Sequence, residues 1–337
     1  MPGVRATQPF KAVILLLLAT VGWGLSFPTM KAMEMSQRKL LPDTSSWFFS
    51  SLSIVVRFGV AAVIVALWSV RTLPGLNRKE LHQGIGLACF GSLGLLLQMD
   101  GLVYTAASTS AFLTQCYCFI IPLFVAIRTR AVPSPLILLC SVIVTAGVAI
   151  LSRFNFQEMK LGRGEVETLL ASLFFTGQIL WLERPTFATN NMNHTSIVMF
   201  GLSALLMAPV LVASGGSLPL IAAAYSRPAP LLFAGILTIV CTLGSYVIMN
   251  YWQSHLDASQ AGLIYCVEPV FASLFALFLP GWFSTFAGIA YANETITSHL
   301  LLGGGLITAA NVLILIRAAT KRPVNPEYTQ PVAVKSS

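Results

Sequence analysis

Long apolar stretches dominate this chain and restrict it to one class of fold. Of its 337 residues, 56% are hydrophobic and 9% are charged, whereas a soluble domain carries about 25% charged residues. An apolar helix of about 20 residues crosses a bilayer. Ten such stretches can be marked, at 11–31, 46–70, 82–104, 106–128, 134–152, 165–183, 194–214, 229–253, 258–279 and 298–317. The sequence therefore predicts an all-α membrane protein with ten transmembrane helices.

The two halves of the chain resemble each other in the order of their motifs. The matching pairs are Gly24–Lys31 with Gly177–Arg184, Ser92–Gly94 with Thr242–Gly244, and Arg153 with Arg317. Because each half holds five predicted spans, the second half would be inverted in the membrane, as in many alternating-access transporters. We expect two inverted five-helix repeats, 1–153 and 165–320, a linker at 154–164, and a disordered cytoplasmic tail at 321–337.

The distribution of Lys and Arg predicts the orientation. With both termini inside, twelve of these residues fall on the cytoplasmic side and seven outside, which is the bias that cytoplasmic loops show. The sequence thus predicts a multi-pass protein of the cytoplasmic (inner) membrane with both termini in the cytoplasm. The stretch 280–297 is too polar to span, and we expect an interfacial loop on the outside.

Charged and kinking residues interrupt three of the predicted spans. Glu268 and Pro269 lie side by side in the ninth span, where a carboxylate costs about 2.5–3.5 kcal/mol and proline removes a backbone donor. They indicate either a binding site at mid-depth or a kinked packing helix. Arg57 in the second span has Glu268, a backbone carbonyl or an anionic substrate as alternative partners, and a lock between helices is favoured. Pro122 corresponds to Pro269 in the other half, although three residues out of register, and both are candidate gating positions.

Aromatic and amide side chains on several spans suit a cavity for an amphipathic solute, because rings contact its apolar parts and amides its polar parts. The alternatives are aromatic anchors at the membrane interface and polar bridges between helices. The candidate substrate-binding residues are Trp23, Phe27, Gln115, Gln178, Trp181, Tyr246, Asn250 and Glu268.

The chain lacks the sequence signatures of several other functions. No HExxH, GxSxG, Walker motif, histidine cluster or CxxC pair occurs, so we predict no enzyme, catalytic residue, cofactor or metal site. The net charge of +8 indicates contact with anionic lipid headgroups and not with nucleic acid. Coupling to a proton or another ion gradient, exchange and downhill flow are left as alternatives, and a homodimer is left open.

Four segments resemble the EamA family of the drug/metabolite transporter superfamily. They are WGLSFPTMK (23–31), Arg57-Phe58, LVYTAASTSAFLTQ (102–115) leading to Pro122, and AGLIYCVEPVFASLFALF (261–278). The resemblance implies ten helices in two inverted repeats, cytoplasmic termini, and a central cavity lined by helices 1, 3, 4, 6, 8 and 9. It also implies efflux or exchange of small metabolites such as amino acids. The chain departs from the family after Leu279, where Pro280-Gly281 and an insertion replace an LGE motif.

The function predicted from the sequence is therefore that of a secondary transporter, a permease or exporter of small metabolites that works by alternating access. The alternative is a multi-spanning structural or receptor-like protein that transports nothing. Inverted repeats with polar residues on several spans favour the transporter.

Overall fold

A computed structural model describes residues 8–104, 110, 113–130, 132–151 and 162–320. This part of the chain is helical and contains no strand, in agreement with the predicted fold class. The long helices are α1 (Pro9–Leu40), α2 (Ser46–Trp68), α3 (Arg78–Tyr104), α4 (Tyr117–Thr129), α5 (Pro135–Leu151), α6 (Arg163–Leu182), α7 (Met192–Ala213), α8 (Pro228–Ile236, Leu237–Gly244 and Ser245–Trp252 in succession), α9 (Ala258–Tyr265 and Glu268–Ala276) and α10 (Ser298–Thr320). Two shorter helices are Leu218–Ala224 and Leu279–Ala287, and single 3-10 turns lie at Leu73–Gly75, Pro185–Phe187 and Gln253–His255.

The lengths and composition of these helices suit a membrane protein that crosses the bilayer several times. In the described ranges, six helices (α1, α2, α3, α7, α8 and α9) are long and apolar enough to span, and α4, α5 and α10 contain shorter apolar helices. The α6 helix carries Arg163, Glu165 and Glu167 at its start, which lowers its hydropathy. The division into two inverted repeats stays a prediction. Most of the predicted linker, the start of the fourth predicted span and the tail lie outside the described residues.

The first helix is longer than its apolar stretch predicted. With a rise of about 1.5 Å per residue, its 32 residues extend for roughly 48 Å, well beyond a hydrocarbon core of about 30 Å. Within the extension, an i,i+4 ion pair joins Glu34 to Arg38 at 2.8 Å and adds a small stabilisation to the helix. Gln37 on the same extension is completely buried. The α1 helix contacts both short helices, Leu218–Ala224 and Leu279–Ala287.

The segment after α9 corrects the prediction of a loop at 280–297. Its first part is the helix Leu279–Ala287, in which Pro280 occupies the first turn, where its missing N–H costs nothing. Gly288 ends the helix with a left-handed φ of 62°, which favours glycine. Two hydrogen bonds between Ser284 and Tyr291, at 2.6 and 2.8 Å, and one from Lys39 Nζ to the Gly288 carbonyl, at 3.0 Å, fasten the segment to itself and to α1.

Helices from the two predicted halves pack against each other. The α2 helix contacts α7, α3 contacts α6 and α7, α5 contacts α10, and α1 contacts α8 and α9. Small residues allow the close approaches: a Cβ added to Gly147 on α5 would lie 2.9 Å from the Gly303 carbonyl on α10. The halves are therefore interleaved in one bundle, and any site at its centre is built from both.

Two polar clusters join the helix ends. At one end, the fully buried Asp100 of α3 accepts hydrogen bonds from Ser46 Oγ at 2.7 Å and Arg163 Nη2 at 2.6 Å. At the other, Glu80 Oε2 lies 2.8 Å from His194 Nδ1, and Glu80 Oε1 accepts from the Asn191 backbone N–H at 2.9 Å. These contacts hold α2, α3, α6 and α7 together without occupying the centre of the bundle.

Candidate functional site

A cavity of about 70 Å³ lies among α1, α2, α3, α4, α6, α8 and α9. A volume of this size holds several water molecules. Six of the sequence-predicted residues line it: Trp23, Phe27, Arg57, Gln178, Tyr246 and Glu268. The other lining residues are Ser26, Met30, Leu95, Gln98, Thr114, Tyr117, Phe175, Ile179, Met249 and Tyr265. The walls are therefore aromatic, with a few polar and charged groups.

Two glycines bring Trp23 to the cavity. A Cβ on Gly24 would lie 2.6 Å from Phe271 Cβ and 2.9 Å from the Ala272 backbone nitrogen of α9, and a Cβ on Gly22 would collide with Ser245 Oγ of α8. The residue between these glycines therefore lies where α1, α8 and α9 approach most closely. The Trp23 ring makes edge-to-face contacts there with Tyr246, at 5.4 Å between centroids, and with Tyr265, at 5.2 Å.

Arg57 joins three helices at the cavity wall. Its side chain is buried, Nε donates to Thr242 Oγ1 at 3.0 Å, and Nη1 contacts Met30 Sδ at 3.3 Å. Thr242 belongs to the π-helical segment Leu237–Gly244 of α8, and such segments are frequent at functional sites. Of the partners considered from the sequence, Glu268 is not used: the ion pairs found in the described ranges do not include it.

Glu268 lies where α9 is interrupted. The helix stops at Tyr265 and begins again at Glu268, so that Pro269 occupies the first turn of the second segment, where no N–H is required. The Glu268 side chain is partly exposed because it opens onto the cavity. The described residues supply no ion-pair partner for it. The break thus presents a single carboxyl group to the cavity.

Three of the predicted substrate-binding residues, Gln115, Trp181 and Asn250, do not line the cavity. All three are buried or half-buried between helices. Gln115 follows the lining residue Thr114. The indole N–H of Trp181 donates to the Gln83 carbonyl at 3.1 Å, and Asn250 Nδ2 donates to Ser196 Oγ at 3.0 Å. Trp181 and Asn250 therefore make the contacts between helices that were the alternative interpretation of these residues.

Several lining residues were not predicted as site residues. Gln98 is one of them, and its Nε2 donates to Thr114 Oγ1 at 3.2 Å. Tyr265 precedes Glu268 by three residues, a spacing that would have indicated a shared side of α9 if that helix were continuous. Its hydroxyl donates to Gln253 Oε1 at 2.9 Å.

Two hydrogen-bond donors at the cavity have no partner in the described part of the chain: Trp23 Nε1 and Gln178 Nε2. Buried polar atoms are nearly always hydrogen-bonded to protein or to water. Side chains that line a cavity and carry an unpartnered donor are suited to water or to a ligand that carries acceptor atoms.

Comparisons with known proteins agree with this architecture. Residues 10–153 match the model of the EamA-like transporter family. An uncharacterized transporter of Archaeoglobus fulgidus is 24% identical over 317 residues, which cover 94% of this chain and 89% of the relative. One crystal structure of a protein superposes with a TM-score of 0.65 at 15% identity, covering 92% of this chain and 98% of that one, which shows a shared fold. The resemblance found in the sequence is thereby confirmed: the chain is an integral, multi-pass membrane protein whose residues 10–153 match the EamA-like transporter family.

Proposed function

We propose that this protein is a secondary transporter that carries a small metabolite, such as an amino acid, through the central cavity by alternating access. The observation that supports this most is the cavity itself, which is walled by both predicted halves and presents a carboxyl, a guanidinium and unpartnered donors. Polar groups of this kind inside a membrane bundle mark substrate and ion pathways more often than packing positions.

Pro122 in α4 and the break in α9 are the proposed gates. Pro122 lies inside α4 and Pro269 begins the second segment of α9. The two helices are already in contact, because a Cβ on Gly262 of α9 would lie 2.9 Å from Ile121 Cδ1 of α4. A change of helix direction at Pro122 or at the break in α9 would move one wall of the cavity. Arg57, held by Thr242 and Met30, would keep α2 in register with α1 and α8 during that movement.

In the substrate-loaded state, Trp23, Phe27 and Tyr246 would contact the apolar part of the solute, and Gln178 would bind a polar group. Glu268 would change its protonation during the cycle and so couple transport to a proton gradient. Trp181 and Asn250 would act only through the helix contacts that they make, and Gln115 would support the neighbouring Thr114.

Transport can be tested with the purified protein in liposomes loaded with a mixture of radiolabelled amino acids. We expect protein-dependent release, and we expect Ser26→Trp to abolish it because the indole would fill a cavity of about 70 Å³. Val63→Trp is the matched control, since Val63 is exposed on the outer surface of α2. Release equal to that of protein-free liposomes, or release that Ser26→Trp leaves unchanged, would contradict the proposal.

The second proposal concerns location and orientation: the cytoplasmic (inner) membrane, with both termini inside. In a variant without the six native cysteines, a cysteine in place of Thr285, exposed on the helix Leu279–Ala287, should react with an impermeant maleimide in intact cells. A cysteine in place of Ser336, which lies outside the described residues, should react only after the cells are opened. The reverse pattern would show the opposite orientation.

A further inference from the structure

The Arg57 side chain carries a buried positive charge that no ion pair among the described residues balances. Its exposed fraction is 3%. The ion pairs of the described residues join Arg38 to Glu34, Arg163 to Asp100 and Glu167, and His194 to Glu80. Charged groups inside a membrane protein are costly and almost always have a partner, so this guanidinium needs a counter-charge from elsewhere.

The contacts that Arg57 does make orient the guanidinium but leave most of its donors free. A guanidinium has five N–H donors in a rigid fork. The Thr242 hydroxyl takes one at Nε, and the Met30 thioether, a weak acceptor, lies 3.3 Å from Nη1. Both partners are uncharged, and both lie on helices that also contribute to the cavity wall. Arg57 itself is one of the residues that line the cavity.

Two other side chains that line the cavity also carry hydrogen-bond donors without a partner in the described residues. Gln178 is buried, with 4% of its surface exposed, and its Nε2 has no hydrogen-bond partner among the described residues. Trp23 Nε1 also lacks a hydrogen-bond partner among these residues. Three side chains that carry such donors therefore line one space, and one of them is charged. A ligand that satisfies all three must offer several acceptor oxygens.

We propose that Arg57 determines the specificity of the cavity by binding a carboxylate on the transported solute, with Thr242 and Met30 as positioning residues. A carboxylate matches the planar fork of a guanidinium with two parallel hydrogen bonds. A single negative charge fits better than the two of a phosphate, because Glu268 faces the same space and would repel a dianion. This inference rests on the proposed transport function.

The test compares each protein amino acid with its own carboxamide, by the ligand-induced rise in the midpoint of thermal unfolding of the full-length purified protein. We expect at least one carboxylate to stabilise the wild type while its carboxamide does not. Arg57→Gln should weaken that binding by about tenfold or more, as the loss of a charge-assisted pair implies. Arg57→Lys, which keeps the charge without the fork, should weaken it less and serves if Arg57→Gln does not fold.

Thr242→Val separates recognition from a purely structural role. It removes the hydroxyl that orients the guanidinium but keeps the charge, so we expect weaker carboxylate binding while the carboxamide stays without effect. Equal binding of carboxylate and carboxamide, the absence of any stabilising carboxylate, or wild-type affinity in both Arg57 variants would overturn the inference. Carboxylate binding without flux would instead contradict only the transport function, and flux without carboxylate preference only the role of Arg57.

Discussion

Glu268→Gln should abolish flux driven by a proton gradient while substrate exchange continues. The carboxyl group lies at the break in α9, opens onto the cavity and has no ion-pair partner in the described part of the chain. An amide has nearly the same shape but cannot release or bind a proton in the cycle, so the coupled step should fail and the uncoupled one should persist. We expect gradient-driven flux in liposomes to fall by about tenfold or more, equivalent to at least about 1.4 kcal/mol.

Exchange and stability measurements on the same variant show whether the loss of flux comes from lost proton coupling or from a damaged fold. Exchange of labelled for unlabelled substrate should stay close to the wild-type rate, and Glu294→Gln, an exposed position after the helix Leu279–Ala287, should leave both activities unchanged. If Glu268 were instead locked to Arg57, Glu268→Gln would destabilise the protein and a second change, Arg57→Gln, would partly restore it. Wild-type stability together with wild-type proton-driven transport would leave only a packing role for Glu268.

Rare polar residues in apolar spans were the most informative part of the sequence. A charge such as Arg57 or Glu268 must face protein or a cavity and not lipid, and both line the cavity. Trp23 was predicted as an aromatic residue suited to a cavity wall, and it lines the cavity. These signals are local, since each depends on a residue type that is out of place in its own helix.

The distinction between a cavity wall and a helix contact could not be predicted in the same way. Tyr246 and Asn250 are one turn apart on α8, yet Tyr246 lines the cavity while Asn250 donates to Ser196 of α7. Helical periodicity predicts a shared face, but the neighbour that meets each turn of that face depends on the packing of the whole bundle. The same holds for Trp181, which contacts α3 through the Gln83 carbonyl.

Hydropathy also failed to predict two helical segments, the end of α1 and the helix that follows α9. It marked α1 only as far as 31, because the residues that follow are polar, although the helix runs to Leu40. It likewise missed the helix Leu279–Ala287. In both places the backbone bonds are formed within a helix whether or not lipid surrounds it, so polarity indicates where a helix leaves the bilayer and not where it ends.

Gly24→Ala should lower the free energy of unfolding, because the added methyl group has no room between α1 and α9. The new Cβ would lie 2.6 Å from Phe271 Cβ and 2.9 Å from the Ala272 backbone nitrogen. Backbone cannot move aside as the end of a flexible side chain can, so α1 and α9 would have to separate. Overpacking of this kind costs about 1–3 kcal/mol, and the separation would also shift Trp23 away from Tyr265, so flux should fall with stability.

Gly305→Ala on α10 is the matched control for Gly24→Ala. Nothing lies within 4 Å of the Cβ that this substitution would add, and alanine is the better helix former by about 0.5–1 kcal/mol. In detergent, Gly305→Ala should therefore unfold at the wild-type temperature or slightly above it, and Gly24→Ala several degrees below. If the two variants shifted the midpoint equally, the loss could not come from the contact between α1 and α9, and close packing of Gly24 would not be what places Trp23 at the cavity.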